Sequence, residues 1–120
     1  MTSNSSGRTG VTIGLDLGDR QSELCVVGTG GAIDRRATIP TTADGLTRAL
    51  AAYAGARVVL EVGTHSPWVS RHLTQQGYDV VVANPGHVRR IGGVVKKSDG
   101  IDAELLARLG RADPALLRPI

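Results

Sequence analysis

A chain of 120 residues has room for one domain of ordinary size and not for two. With 41% hydrophobic and 21% charged residues it is globular in composition, and with no Phe, one Trp and two Tyr its core must be filled by Val, Leu, Ile and Ala. The formal net charge of +3 permits an anionic partner without demanding one, while the single Cys25 excludes an internal disulfide and a cysteine-based zinc site. No run approaches the length of a membrane span and residues 1–10 lack the apolar centre of a signal peptide, so the expected setting is cytoplasmic, with no membrane partner.

Residues 1–10, rich in Ser, Thr, Asn and Gly, are expected to form a disordered tail. Val11, Ile13 and Leu15 then alternate with Thr12, Gly14 and Asp16, the pattern of a half-buried strand that closes on a carboxylate. Gly18-Asp19-Arg20 signals a turn, Ser22 to Val27 a second strand, Gly28 to Gly31 another turn, and Ala32 to Ile39 a third strand. Two tight connections imply an antiparallel meander. Thr42 is placed to cap a helix that carries Leu46, Leu50 and Tyr53 and runs to Ala54. Arg57 to Glu61 is a nearly apolar strand ending, like the first, in an acid.

Ser66-Pro67 opens a second helix that runs to about Gln76 and stops at Gly77, Tyr78 to Ala83 is a fifth strand, and Asn84-Pro85 opens a short helix ended by Gly92-Gly93. A last helix begins near Ser98 or Asp99, carries Ile101, Leu105, Leu106 and Leu109, and is broken at Asp113-Pro114. Right-handed crossovers put the fourth strand beside the first. The result is an α/β fold: a mixed five-stranded sheet of order 3-2-1-4-5 flanked by helices, which is the order of the ribonuclease H-like fold.

That order brings Asp16 and Glu61 to the ends of adjacent parallel strands, the edge at which open α/β sheets bind ligands. Asp99 and Asp102, three apart on a helix, would project from one face within roughly 5–6 Å of each other. Each acid alone has a plain structural account: Asp16 as a turn residue before Gly18, Asp99 and Asp102 as members of a capping box. Four together are different. Hard carboxylate oxygens suit Mg²⁺ or Mn²⁺, and two such ions about 3.5–4 Å apart serve phosphodiester chemistry. His87, Arg89, Arg90, Lys96 and Lys97, in a stretch without an acid, are candidates for contact with a nucleic-acid backbone. His65 lies four residues after Glu61, within reach of the same edge, although a loop or helix-cap histidine is the commoner case. Trp68 and Tyr78 are expected in the core, and Cys25 as a small buried hydrophobe.

Over nearly all of residues 11–120 the sequence resembles the N-terminal domain of the insertion-sequence 110 family of DEDD transposases, whose ribonuclease H-like domain is similar to that of the RuvC resolvase. The resemblance rests on Gly14-Leu15-Asp16, on Leu60 to Arg71 (LEVGTHSPWVSR), on Val82-Ala83-Asn84-Pro85, and on Lys97 to Ala103 (KSDGIDA). It implies that Asp16, Glu61, Asp99 and Asp102 are the four acids of the DEDD motif, catalytic residues that hold Mg²⁺. Gly100 stands where such motifs usually carry a basic residue, which weakens an expected phosphate contact but not the metal site. The resemblance further implies DNA of the mobile element and its target as partners, a structured guide RNA, and a homo-oligomeric full-length protein. It implies too a nucleophilic serine in a separate C-terminal domain, so no serine of residues 11–120 takes that role and the chain is expected to be truncated.

Two other readings compete. Gly14-Leu15-Asp16-Leu17-Gly18 also looks like the first phosphate loop of the actin-like ATPases, which share this sheet order but need two such domains. A non-catalytic RNA- or DNA-binding module would use the basic stretch and be indifferent to loss of the acids.

Overall fold

The computed structural model describes residues 10–84 and 102–117. The predicted tail through residue 9, the short helix after Asn84, the basic stretch His87 to Lys97, and Asp99 all lie outside those residues. Within them the strands run β1 (Thr12–Asp16), β2 (Gln21–Val27), β3 (Ile33–Pro40), β4 (Arg57–Glu61) and β5 (Asp79–Ala83). The helices are α1 (Ala43–Leu50), α2 (Ser66–Gln75) and α3 (Ala103–Ala112), with 3₁₀ turns at Ala51–Tyr53 and Pro114–Leu117. The sheet order is β3-β2-β1-β4-β5, as the sequence predicts. β1 pairs antiparallel with β2 and parallel with β4, β2 antiparallel with β3, and β4 parallel with β5.

Period-two alternation divides the sheet into two unlike faces. Ile13, Leu15, Leu24, Val26, Val58 and Leu60 point to one side, where Leu46 and Leu50 of α1 and Val69 and Leu73 of α2 close the larger core. Thr42 caps α1 by accepting the Gly45 N–H at 2.9 Å, as expected. Tyr78 is buried here and donates its hydroxyl to the Leu50 carbonyl at 2.6 Å, while Trp68 packs on the same core half-buried. Cys25 is fully buried on the other face.

On that other face α3 packs through Ala103, Leu106 and Ala107 on Cys25, Val27, Val59, Val81 and Ala83. The helix sits unusually close to the strands. A Cβ on Gly14 would fall 1.9 Å from the Ala103 carbonyl oxygen, and one on Gly110 would fall 2.4 Å from a Val59 methyl. Glycine on the strand under one end and on the helix at the other lets the two backbones approach. Arg57, buried between β4 and α3, donates to Asp79 Oδ2 at 2.9 Å and to the Gly110 carbonyl at 3.2 Å, which places a cation at the helix C-terminus. Glu104 receives Arg108 at 2.8 Å and also Arg36 of β3, and Arg108 reaches the Gly31 carbonyl at 3.0 Å. Arginines therefore tie α3 to the β2–β3 hairpin.

Several boundaries differ from the sequence reading, most by a single residue. α1 gives way to a 3₁₀ turn at Ala51, and β5 starts at Asp79 because the Tyr78 N–H is spent on the Leu73 carbonyl that closes α2. The larger correction concerns α3, which begins at Ala103 and not near Ser98 or Asp99. Asp102 is extended (φ −80°, ψ 167°) and its Oδ1 accepts the Leu105 N–H at 2.8 Å, so Asp102 is itself the cap. Asp102 therefore precedes the helix and caps it, while Asp99 lies outside the described residues.

Candidate functional site

β1 and β4 are adjacent and parallel, with Gly14 opposite Val59 and Leu15 opposite Leu60. Continuing the alternation by one residue puts Asp16 and Glu61 side by side at the C-terminal edge, both on the face that α3 covers. Both are half-buried, and both line one cleft of about 160 Å³ together with Asp19, Thr64 and His65. The absence of a side chain at Gly14 lets the start of α3 come down onto β1, and Asp102 is close enough to act on the Asp16 charge.

The electrostatics follow from that convergence. Burial pushes the Asp16 carboxyl above the usual carboxylate range, and the negative charges of Asp102 and then Glu23 push it in the same direction. Glu23 stands directly opposite Asp16 in the β1–β2 ladder and accepts the Thr38 hydroxyl at 3.0 Å. Like charges held together in this way repel one another.

Sequence-predicted Asp16, Glu61 and Asp102 are thus brought to one edge, while Asp99 and the basic residues His87, Arg89, Arg90, Lys96 and Lys97 lie outside the described residues. Among the described residues no three His, Cys, Asp or Glu side chains converge into a ready metal cage. The donor set is nonetheless of one kind, all hard oxygen, and fits Mg²⁺ or Mn²⁺ better than a soft metal.

Sequence reasoning passed over two neighbours of the site. Asp19 reads in the sequence as a turn residue, yet its Oδ1 accepts from His65 Nε2 at 3.0 Å. Glu23 follows from the hairpin register once β1 and β2 are paired about the turn at residues 17–20, a step open to sequence reasoning. His65 occupies the cap position of α2, as a helix-cap histidine would, and reaches the cleft as well. The Trp68 indole N–H, 3.1 Å from His65 Nδ1, gives this core residue a second contact.

Comparison with known proteins decides the family. The model of the DEDD transposases of insertion-sequence 110 type, described as "Transposase", matches residues 13–120. The chain belongs to that family. No curated protein matches it. Among solved structures it is similar to RuvC of Thermus thermophilus, with a TM-score of 0.62 at 17% identity over 92% of this chain and 99% of that one. At that identity the likeness establishes the ribonuclease H-like fold. Family and fold support a role in DNA transposition, of a nuclease type. Among the described residues no helix is long and apolar enough to cross a membrane.

Proposed function

We propose that this DEDD transposase domain binds Mg²⁺ or Mn²⁺ through Asp16, Glu61 and Asp102, with Asp99 as the fourth acid, and thereby serves DNA strand cleavage and joining. The observation that carries the proposal is the placing of Asp16 and Glu61 side by side at the β1–β4 edge in one cleft, where burial and the acids of α3 and β2 raise the Asp16 carboxyl. A site that strains an acid in this way is relieved by a divalent ion. When bound, such ions supply positive charge to the attacking and leaving oxygens of a phosphodiester displacement.

The chain's own residues do the rest. β1 and β4 hold two carboxylates rigidly at a sheet edge, Gly14 sets the approach of α3, and the Leu105 N–H fixes one oxygen of Asp102. The partners in this reading are DNA of the mobile element and target and a structured guide RNA. The nucleophilic serine belongs to a further domain, and the full-length protein acts as a homo-oligomer.

Calorimetry with Mn²⁺ tests the reading, on the chain as it stands and with Asp16→Asn and Asp102→Asn combined. Heat of binding that disappears in the double variant is the expected result. Equal binding by both chains, or none by either with and without DNA, overturns it.

A further inference from the structure

Among the described side chains that line the cleft, Thr64 and His65 carry a hydrogen-bond donor at neutral pH, and His65 is held on both ring nitrogens. The indole of Trp68 has a hydrogen to give and nothing to accept with, so His65 Nδ1 must be the acceptor in that 3.1 Å contact. Its lone pair is used there. The ring hydrogen of the neutral imidazole therefore sits on Nε2, which points to Asp19 Oδ1 at 3.0 Å. The two rings meet edge to face, 6.3 Å between centroids and 88° between planes. That geometry leaves the imidazole little freedom.

A nitrogen that carries a hydrogen does not ligate a metal. Trp68 thus keeps His65 out of the metal's coordination although it stands on the rim of an acidic cleft. What the Nε2–H meets instead is an anionic oxygen. Its present acceptor, Asp19, is 91% exposed on the β1–β2 turn, whereas the His65 side chain is only 25% exposed. A carboxylate so far in water loses little by turning away.

We infer that His65 is a phosphate-binding residue of the cleft: its Nε2–H, fixed by Trp68, donates to a non-bridging phosphate oxygen of the nucleic-acid strand, in the place that the Asp19 carboxylate fills. The inference rests on the nucleic-acid reading above, and it assigns His65 to the strand and not to the ion. Trp68 is the positioning residue, acting through the imidazole.

The test uses three readouts on the 120-residue chain. The first is the ¹⁵N resonances of the His65 ring. The second is Mn²⁺ affinity by calorimetry. The third is affinity for a short fluorescein-labelled single-stranded DNA, measured by anisotropy in Ca²⁺ so that the strand is not cut. The expected ring form carries its hydrogen on Nε2. His65→Ala is expected to keep Mn²⁺ affinity within about twofold and to weaken DNA binding by about tenfold, the scale of one hydrogen bond to a charged group. His65→Gln, which restores an N–H donor, should recover most of that loss, and Trp68→Phe should weaken DNA binding while freeing the tautomer. A fall in Mn²⁺ affinity in His65→Ala overturns the inference and leaves the metal site standing, because the imidazole is then a ligand. Unchanged DNA affinity in both His65→Ala and Trp68→Phe also overturns it. A chain with native His65 that binds neither Mn²⁺, with or without the DNA, nor the DNA itself removes the metal reading and this inference together.

Discussion

The two faces of the sheet are built by opposite means. The α1–α2 face is a layer of Leu, Ile and Val, closed by two helices, and it carries no acid among its core residues. The α3 face is thin, with Gly14, Ala103, Ala107 and Gly110 where the first face has branched side chains, and with arginines in place of apolar bulk at its margins. The first arrangement maximises buried area and hence stability. The second trades area for closeness, because only small residues let the helix end reach the strand edge where Asp16 and Glu61 sit. Stability and chemistry are thus assigned to different sides of one sheet.

If that division holds, damage to the first face should lower stability and leave ion binding intact. Leu60 is fully buried in the α1–α2 core, one residue before Glu61 and pointing away from it. Leu60→Ala is expected to cost about 2–5 kcal/mol in urea unfolding. Below the transition Mn²⁺ affinity should be unchanged. A parallel loss of affinity would mean that the two faces are coupled.

The converse substitution is Gly14→Ala. One methyl placed 1.9 Å from a backbone oxygen forces α3 outward, since the atom it meets is backbone and not the end of a flexible side chain. The stability cost is expected to be smaller, about 1–3 kcal/mol. The affinity for Mn²⁺ should fall roughly tenfold or more, as happens when the support of a ligand is disturbed. Amide exchange at Leu105 and Leu106 would report the lifted helix end directly.

The same asymmetry explains what could be read without coordinates. Strand order, the meander and the placement of Asp16 and Glu61 follow from alternation and from the handedness of crossovers, both strong signals in an aliphatic α/β sequence. The start of α3 does not. Ser98, Asp99 and Asp102 are all good caps, and only the Leu105 N–H bond shows that Asp102 is the one used. Local propensity ranks such candidates equally; the close docking over Gly14 decides between them. Trp68 shows a related gap: composition places it in the core, but the direction of one N–H toward His65 is a tertiary fact.

The smallest effect expected is in the pH dependence of the metal-free chain, and it isolates the acid edge from everything else. The Asp16 carboxyl titrates above its ordinary value in the folded chain, through burial first and the charges of Asp102 and Glu23 second. Between those two values the folded state holds more protons than the unfolded one, so this group makes stability fall as pH rises through that window and imposes a constant penalty above it. Asp16→Asn removes the penalty. In the presence of EDTA the variant should match the parent chain near pH 4 and exceed it modestly near pH 7, the difference opening just above the ordinary carboxylate range. With saturating Mn²⁺ the order should reverse at pH 7, because an ion that needs the ionised carboxylate stabilises only the parent chain. Urea unfolding of both chains at each pH, with and without metal, measures all four corners. If the variant gains nothing in EDTA, the crowding of acids at the α3 edge is structurally neutral, and the contrast between a stabilising face and a strained one fails at its sharpest point.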